Sequence, residues 1–421
     1  MARAHVIVAA LILACPTFWT VAETPAQSAA QSDSGKAERK QAGGREHISD
    51  EVCLKCHKAQ LTYLSTSHHK TSQAHDSHSI LGSFRHDGSN VLMIADPAKA
   101  EADPGLYFQM EEKKGRYYQT AVAGWPNQLR TRIESMDIVI GSGKRGQSYL
   151  YWQENHLFEL PVSYWTEGQR WINSPGYKNG TMNFSRPITP RCMECHASFI
   201  QQSTNEVSSN MYQKDSLVLG IGCETCHGPG KEHVNQHTTG NTTPGARDPI
   251  VDPAKLARDR QVDICALCHN GNQSTEKLPA FSFIPGEPLD RYLQQSLTSD
   301  AEHPDVHGNQ VGLLKRSRCY QSSSTMSCST CHDVHAPEHE AAWYSRRCVT
   351  CHQPANCGMS KTLGDKIVDG CVNCHMSVEP TTAFNFDTAG TPLKATMRNH
   401  WIRIPVLKDS GGDVRSQAPA H

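Results

Sequence analysis

Cys328-Ser329-Thr330-Cys331-His332, Cys348-Val349-Thr350-Cys351-His352 and Cys371-Val372-Asn373-Cys374-His375 are three copies of one five-residue pattern within residues 328–375. Four more copies precede them: Cys53-Leu54-Lys55-Cys56-His57, Cys192-Met193-Glu194-Cys195-His196, Cys223-Glu224-Thr225-Cys226-His227 and Cys265-Ala266-Leu267-Cys268-His269. C-x-x-C-H is the attachment pattern of haem c. Two thiols separated by two residues reach the two vinyl groups of one porphyrin, and the following histidine meets the iron from the proximal side. A single C-x-x-C would also suit a redox dithiol or half of a zinc site. Seven copies, each with His directly after the second Cys, point to seven covalently attached haems c and their irons.

Numbered in chain order, motifs 2 to 7 have first cysteines 31, 42, 63, 20 and 23 residues apart. Roughly 30 residues per haem are too few to build a separate hydrophobic core around each one. The haems must therefore pack against one another, with short helices and loops of little regular structure wrapped around them. The uneven spacing argues against a solenoid of equal repeats. Macrocycles packed this closely pass electrons by tunnelling, so this half of the chain reads as a wire.

Composition agrees. Only 37% of the 421 residues are hydrophobic, so porphyrins supply much of the interior. The formal net charge of −1 becomes more acidic once each haem adds two propionates. No basic footprint for nucleic acid is present.

Residues 1–22 read as a signal peptide: Arg3 gives a positive start, residues 6–14 are apolar, and Thr20-Val21-Ala22 offers a small-residue cleavage site. The apolar run is too short to span a bilayer. Export to the periplasm or beyond is expected, since bacterial haem c is attached outside the cytoplasmic membrane. Ile12-Leu13-Ala14-Cys15 loosely resembles a lipobox, which would tether the chain to a membrane through Cys15; otherwise Cys15 leaves with the signal. Residues 23–46 are rich in Ala, Gln, Ser and Gly and read as a disordered tether. Residues 47–83 carry the first haem motif, and a helix following it would bring His68 back over that haem.

Residues 84–190 have another character. They contain no cysteine and are crowded with aromatics, among them Phe108, Tyr117, Trp125, Tyr149, Tyr151, Trp152, Tyr164 and Trp171. Two hairpins are expected, 106–110 with 116–120 and 147–152 with 156–160, the second turning at Glu154-Asn155. This is an antiparallel β subdomain inserted after the first haem motif, with the aromatics as its core. The six-haem cytochrome domain follows at 191–405, then a disordered tail at 406–421. The fold class is α+β.

Fourteen of the 17 cysteines belong to the motifs. Cys319 and Cys357 remain in the mature chain, and in an oxidising compartment a disulfide between them is the simplest expectation. Of 23 histidines, seven are proximal and His5 lies in the leader, so enough remain to fill every distal position. Glu194 and Glu224, inside motifs, either modulate potential or are simply solvated. Asp333, beside His332, either tunes its hydrogen bonding or caps the turn.

Several stretches resemble a known family. Gly222-Cys223-Glu224-Thr225-Cys226-His227-Gly228-Pro229-Gly230, followed by His233, is similar to the C-E-x-C-H-G-P-G-x-x-H segment of multihaem cytochromes c related to the four-haem cytochrome of ammonia oxidisers. Met326-Ser327-Cys328-Ser329-Thr330-Cys331-His332-Asp333-Val334-His335 resembles the M-x-C-x-x-C-H-D-P-H segment of the same group, with Val334 where Pro often stands. In the β region, Ile140-Gly141-Ser142-Gly143-Lys144-Arg145-Gly146-Gln147-Ser148-Tyr149 and Leu160-Pro161-Val162-Ser163-Tyr164-Trp165 look like exported multihaem proteins of environmental bacteria. The resemblance covers about 47–405. It implies distal ligands at His68, His233, His335 and His400, with His303 and His307 as further candidates.

Two functions then compete. The first is an electron carrier whose haems are mostly bis-His, linking a membrane quinol dehydrogenase to a terminal reductase or other cytochromes, with no catalytic residues of its own. The second is an oxidoreductase acting on a small nitrogen or sulfur species, which requires one haem without a distal histidine. Sequence proximity nominates motif 4 (Cys265–His269) or motif 6 (Cys348–His352) for that open position.

Overall fold

The computed structural model describes residues 39–40, 46–93, 103–240, 248–271, 274–294, 309–381, 386–388, 391–393 and 395–405. The leader, Cys15, His303, His307 and the last sixteen residues lie outside the described residues.

Alternating apolar and polar residues with Gly-bearing turns build two antiparallel sheets. The strands are β1 (Ser72–Ala74), β2 (Val91–Met93), β3 (Tyr107–Lys113), β4 (Arg116–Trp125), β5 (Gln128–Ser135) and β6 (Ile138–Ile140). They continue with β7 (Gly146–Gln153), β8 (His156–Glu159), β9 (Val162–Trp165), β10 (Arg170–Asn173) and β11 (Arg186–Pro187). One sheet runs β2-β3-β4-β5; the other runs β10-β9-β7-β8-β11, with β6 on β7 and β1 on β6.

Both expected hairpins are present, and the first is longer than the sequence suggested. Its strands pair from Tyr107↔Val122 to Lys113↔Arg116, so the turn is only Lys114-Gly115, with φ of 55° and 75°. Two positive φ values in a two-residue loop match the twist of the flanking strands. The charges at Glu111, Glu112 and Lys113 therefore belong to the strand, with Glu112 and Lys113 exposed and Glu111 half-buried, accepting from Thr120 Oγ1 at 2.7 Å.

The aromatics form the core of this β region. Phe108, Tyr149, Tyr151, Phe184 and Trp171 are buried together with Leu106, Met110, Met136 and Leu160. Trp125 departs from this and is exposed. Gln119 is fully buried and ties the sheets together: its side chain donates to the Val162 carbonyl at 2.6 Å and accepts from the Val162 amide at 3.1 Å. An amide group placed this way replaces a missing ladder bond, as a buried polar side chain must.

The motif-bearing half holds more regular structure than expected. Its helices include α2 (Pro190–Glu194), α3 (Cys223–His227), α4 (Lys231–Thr239), α5 (Arg258–His269), α6 (Ala341–Cys348) and α7 (Ile367–His375), after α1 (Asp50–Cys56) at the start. A further hairpin, β12 (Ala197–Gln202) with β13 (Tyr212–Leu219), follows the second motif. Alternation at Ala197, Phe199 and at Leu217, Leu219 is the signal that could have found it. The architecture is α+β with antiparallel sheets.

Candidate haem sites

Each motif rides on a helix end or a single turn. Motifs 1, 2, 3, 4 and 7 sit at the C-terminal ends of α1, α2, α3, α5 and α7, and α6 ends on Cys348 of motif 6. Motif 5 occupies the 3-10 turn Cys328–Thr330, closed by mutual Ser327 and Thr330 capping bonds. In a helical turn, positions i, i+3 and i+4 share a face. Both thiols and the histidine of each motif therefore point the same way.

All seven motifs point into one space. A continuous cavity of about 3890 Å³ is lined by the fourteen motif cysteines and seven motif histidines. Ordinary small-molecule pockets run to about 1,000 Å³, so this volume suits a stack of macrocycles. The donor set fits haem c: paired thiols for thioethers, and imidazoles whose other nitrogen is already engaged. His227 Nδ1 donates to the Val251 carbonyl at 2.9 Å, and His375 Nδ1 to the Arg403 carbonyl at 2.9 Å. That bond fixes the tautomer and leaves Nε2 for the metal.

Four motif histidines face a second histidine. Ring centroids are 6.2 Å apart for His57 and His233, 6.0 Å for His269 and His68, 6.1 Å for His227 and His335, and 6.2 Å for His332 and His400. A metal–imidazole bond of about 2.0–2.1 Å, plus about 1 Å from nitrogen to ring centre on each side, puts two trans imidazoles roughly 6 Å apart. The four spacings match the geometry of one iron between two rings.

The chain positions each second histidine by backbone bonds rather than by chance packing. The Ile221 amide donates to the His68 carbonyl at 3.0 Å, and Tyr63 OH to the Ile221 carbonyl at 2.6 Å. Gly220 makes this crossing possible. Its φ is +71°, and a Cβ there would lie 2.1 Å from the His69 carbonyl oxygen, so only glycine fits. His335 is held through its amide bond to Asp333 Oδ1 at 3.0 Å and by Thr62 Oγ1, which donates to its carbonyl at 2.8 Å. Asp333 is thus a turn cap. Ser317 ties the tail in place by donating to the His400 carbonyl and accepting from the Ile402 amide.

Electrostatics keep these rings available. Burial pushes the His400 imidazole down to about 4, with the neighbouring His332 adding to the effect. Burial lowers His68, His269, His332 and His335 in the same direction. A neutral imidazole is the form that binds a metal.

Two expectations are corrected. His68 does not return to the first motif: a 3-10 stretch, Lys58–Ser65, carries the chain onward so that His68 meets His269. Motif 4 therefore has a second histidine facing its own, which proximity along the chain does not give it. Cys319 and Cys357 form no disulfide.

The motif carboxylates are also not solvated. Glu224 is buried, accepting from the Ile48 amide at 3.1 Å and the Gly230 amide at 2.7 Å and meeting His47 Nδ1 at 2.6 Å. Glu194 is buried, bonded to Arg191 at 2.6 Å and to the Phe281 amide at 2.6 Å. Burial raises Glu194, with Arg191 opposing. Both carboxylates lock their motif helices to neighbouring loops.

Sequence reasoning missed Asp248. His233 Nδ1 bonds Asp248 Oδ1 at 2.7 Å, and His237 Nε2 lies 3.2 Å from Oδ2. Desolvation opposes the Asp248 charge, but bonds from His233, the Ile250 amide and His237 hold its carboxyl down at about 2. His233 thereby has a carboxylate on one nitrogen and faces His57 with the other.

Comparison with known proteins agrees with this chemistry. Residues 151–228, which include motifs 2 and 3, match the family of cytochrome c554 and c-prime. The multiheme cytochrome MtrA of Shewanella baltica is 25% identical over 205 residues, covering 46% of this chain and 54% of that protein. The C-type polyheme cytochrome OmcB of Geobacter sulfurreducens is 25% identical over 163 residues, covering 34% of this chain and 19% of that protein. The chain thus spans about a fifth to a half of the length of these relatives. No solved structure matches it. Motifs, cavity and relatives converge: the chain is similar to multihaem c-type cytochromes, and its motif residues are of the kind that hold haem c covalently.

Proposed function

We propose that this is an exported electron carrier with seven closely packed haems c, mostly bis-His, working in the periplasm or at the cell exterior. The observation that carries the reading is the set of four histidine pairs about 6 Å apart across one cavity. Haem, when bound, supplies one-electron redox chemistry at iron. The residues that would hold these irons are His57 with His233, His269 with His68, His227 with His335, and His332 with His400. Held by two histidines each, these four irons would offer a small substrate no coordination position.

The organisation proposed from the sequence accompanies this reading: a signal peptide at 1–22, a tether at 23–46, a first haem segment at 47–83, a β insertion at 84–190, a six-haem domain at 191–405 and a tail at 406–421. His303 and His307 remain candidate ligands for other motifs. Redox partners would be other cytochromes, a quinol dehydrogenase upstream and a terminal reductase downstream. No helix among the described residues is long and apolar enough to cross a membrane.

Haem counting by intact mass, with a cyanide titration of the oxidised protein, tests the proposal. Seven haems with an unchanged optical spectrum are expected. Fewer than seven haems would overturn the count, and conversion of one haem by cyanide would favour the oxidoreductase reading, with motif 6 as the first site to examine.

A further inference from the structure

The contacts between motifs give the order of the haems in space, and they do not describe a single file. The Cys223 amide donates to Asp50 Oδ1 at 2.8 Å, and Asp50 opens the helix that carries motif 1, so motifs 1 and 3 adjoin. His335, three residues beyond the motif 5 histidine, reaches His227 of motif 3. His68, eleven residues beyond the motif 1 histidine, reaches His269 of motif 4. Met326, two residues before motif 5, packs against the apolar cluster that holds Ala266 and Leu267 of motif 4. Motifs 1, 3, 4 and 5 therefore form one cluster, in which motifs 1 and 5 each meet motifs 3 and 4.

Two arms leave the cluster. Tyr344 of α6 lies 5.1 Å, ring to ring, from His332, bringing motif 6 against motif 5. Motif 7 follows, through the Cys348 and Cys371 sulfurs and the Val372 amide bond to Ser345 Oγ at 3.1 Å. The other arm is motif 2. It meets motif 4 through Cys268 Sγ at 3.9 Å from the Glu194 carbonyl and through Arg191, which donates to the Leu267 carbonyl at 2.5 Å.

The far side of motif 2 is occupied by protein. Met193 and Ala197 are buried with Ile138, Leu150, Leu157 and Ile188 of the β region and with Tyr212 of β13. Thr71 Oγ1 lies 3.1 Å from His196 Nδ1, and the Ser72 hydroxyl donates to the His196 carbonyl. The sheet thus fills space that another haem would need.

We infer that the motif 2 haem is a side branch, joined to the cluster at motif 4 and seated on the β subdomain, so that the protein has an electron terminus there besides the one at motif 7. This rests on the seven-haem electron-carrier reading. It assigns the β insertion a role: it carries a separate port rather than bracing the main wire.

An experimental structure of the haem-loaded protein reads the result directly from iron positions. The nearest iron to that of motif 2 should be that of motif 4, with the β sheet on the opposite side. A motif 2 iron whose nearest neighbour is any other iron, or one lying between two haems, would overturn the inference. The axial ligands in the same density report separately on the bis-His reading, so either can fail alone.

Discussion

The β subdomain and the motif-bearing half show two ways of filling an interior. In the first, Phe108, Tyr149, Tyr151, Phe184 and Trp171 pack side chain against side chain, with Gln119 supplying the bonds that join the sheets. In the second, the wall is protein and the middle is one continuous cavity of about 3890 Å³. Its helices are as short as five residues, well below the length at which a helix holds without packing. The lesson is that one chain can place its own core and its cofactor's core side by side, and that the two should respond differently to the same insult.

Withholding haem is the strongest way to break the comparison. In cells lacking the haem-attachment machinery, the chain should lose protease resistance across 190–405 while 106–187 survives as a resistant fragment. Equal digestion of both regions would show that the sheet also depends on haem. The reverse insult is smaller. Phe108→Ala removes a fully buried ring from the β core and should cost about 3–5 kcal/mol, read as a lower denaturation midpoint of the sheet with the haem count unchanged.

Single-ligand changes sharpen the comparison inside the motif half. His400→Ala should convert one haem equivalent to a high-spin ferric signal while the total count holds, because Ser317 and Arg316 still anchor the tail around Trp401. The smallest effect belongs to Asp248→Asn. Losing the carboxylate on His233 Nδ1 makes that ring a weaker donor to ferric iron, so one haem should rise in potential by tens of millivolts in a spectroelectrochemical titration. Unchanged potentials would remove Asp248 from the site.

Much of this was legible in the sequence because the motifs are local. Five consecutive residues specify both thioethers and the proximal ligand, so no tertiary information is needed to find them. The β hairpins were legible for a similar reason, their turns lying at Lys114-Gly115 and Glu154-Asn155. His233, His335 and His400 came only with family-like flanking residues. Which motif each one faces was not legible, because the partners are far apart in sequence: His68 and His269 are brought together by the crossing at Gly220. Proximity along the chain misdirected the His68 assignment and left motif 4 without a facing histidine. The Cys319–Cys357 pairing failed likewise, since two leftover cysteines carry no information about distance. Glu194 and Glu224 looked solvated because nothing local reveals that Arg191 and His47 bury them.

Near-infrared magnetic circular dichroism of the fully oxidised, haem-loaded protein tests the central claim most directly, because bis-imidazole, His/Met and high-spin ferric haems give distinct charge-transfer bands. At least four haem equivalents of bis-imidazole intensity are expected, one for each histidine pair. Fewer than four would contradict the account, since at least one of the paired histidines would then not be bound to iron.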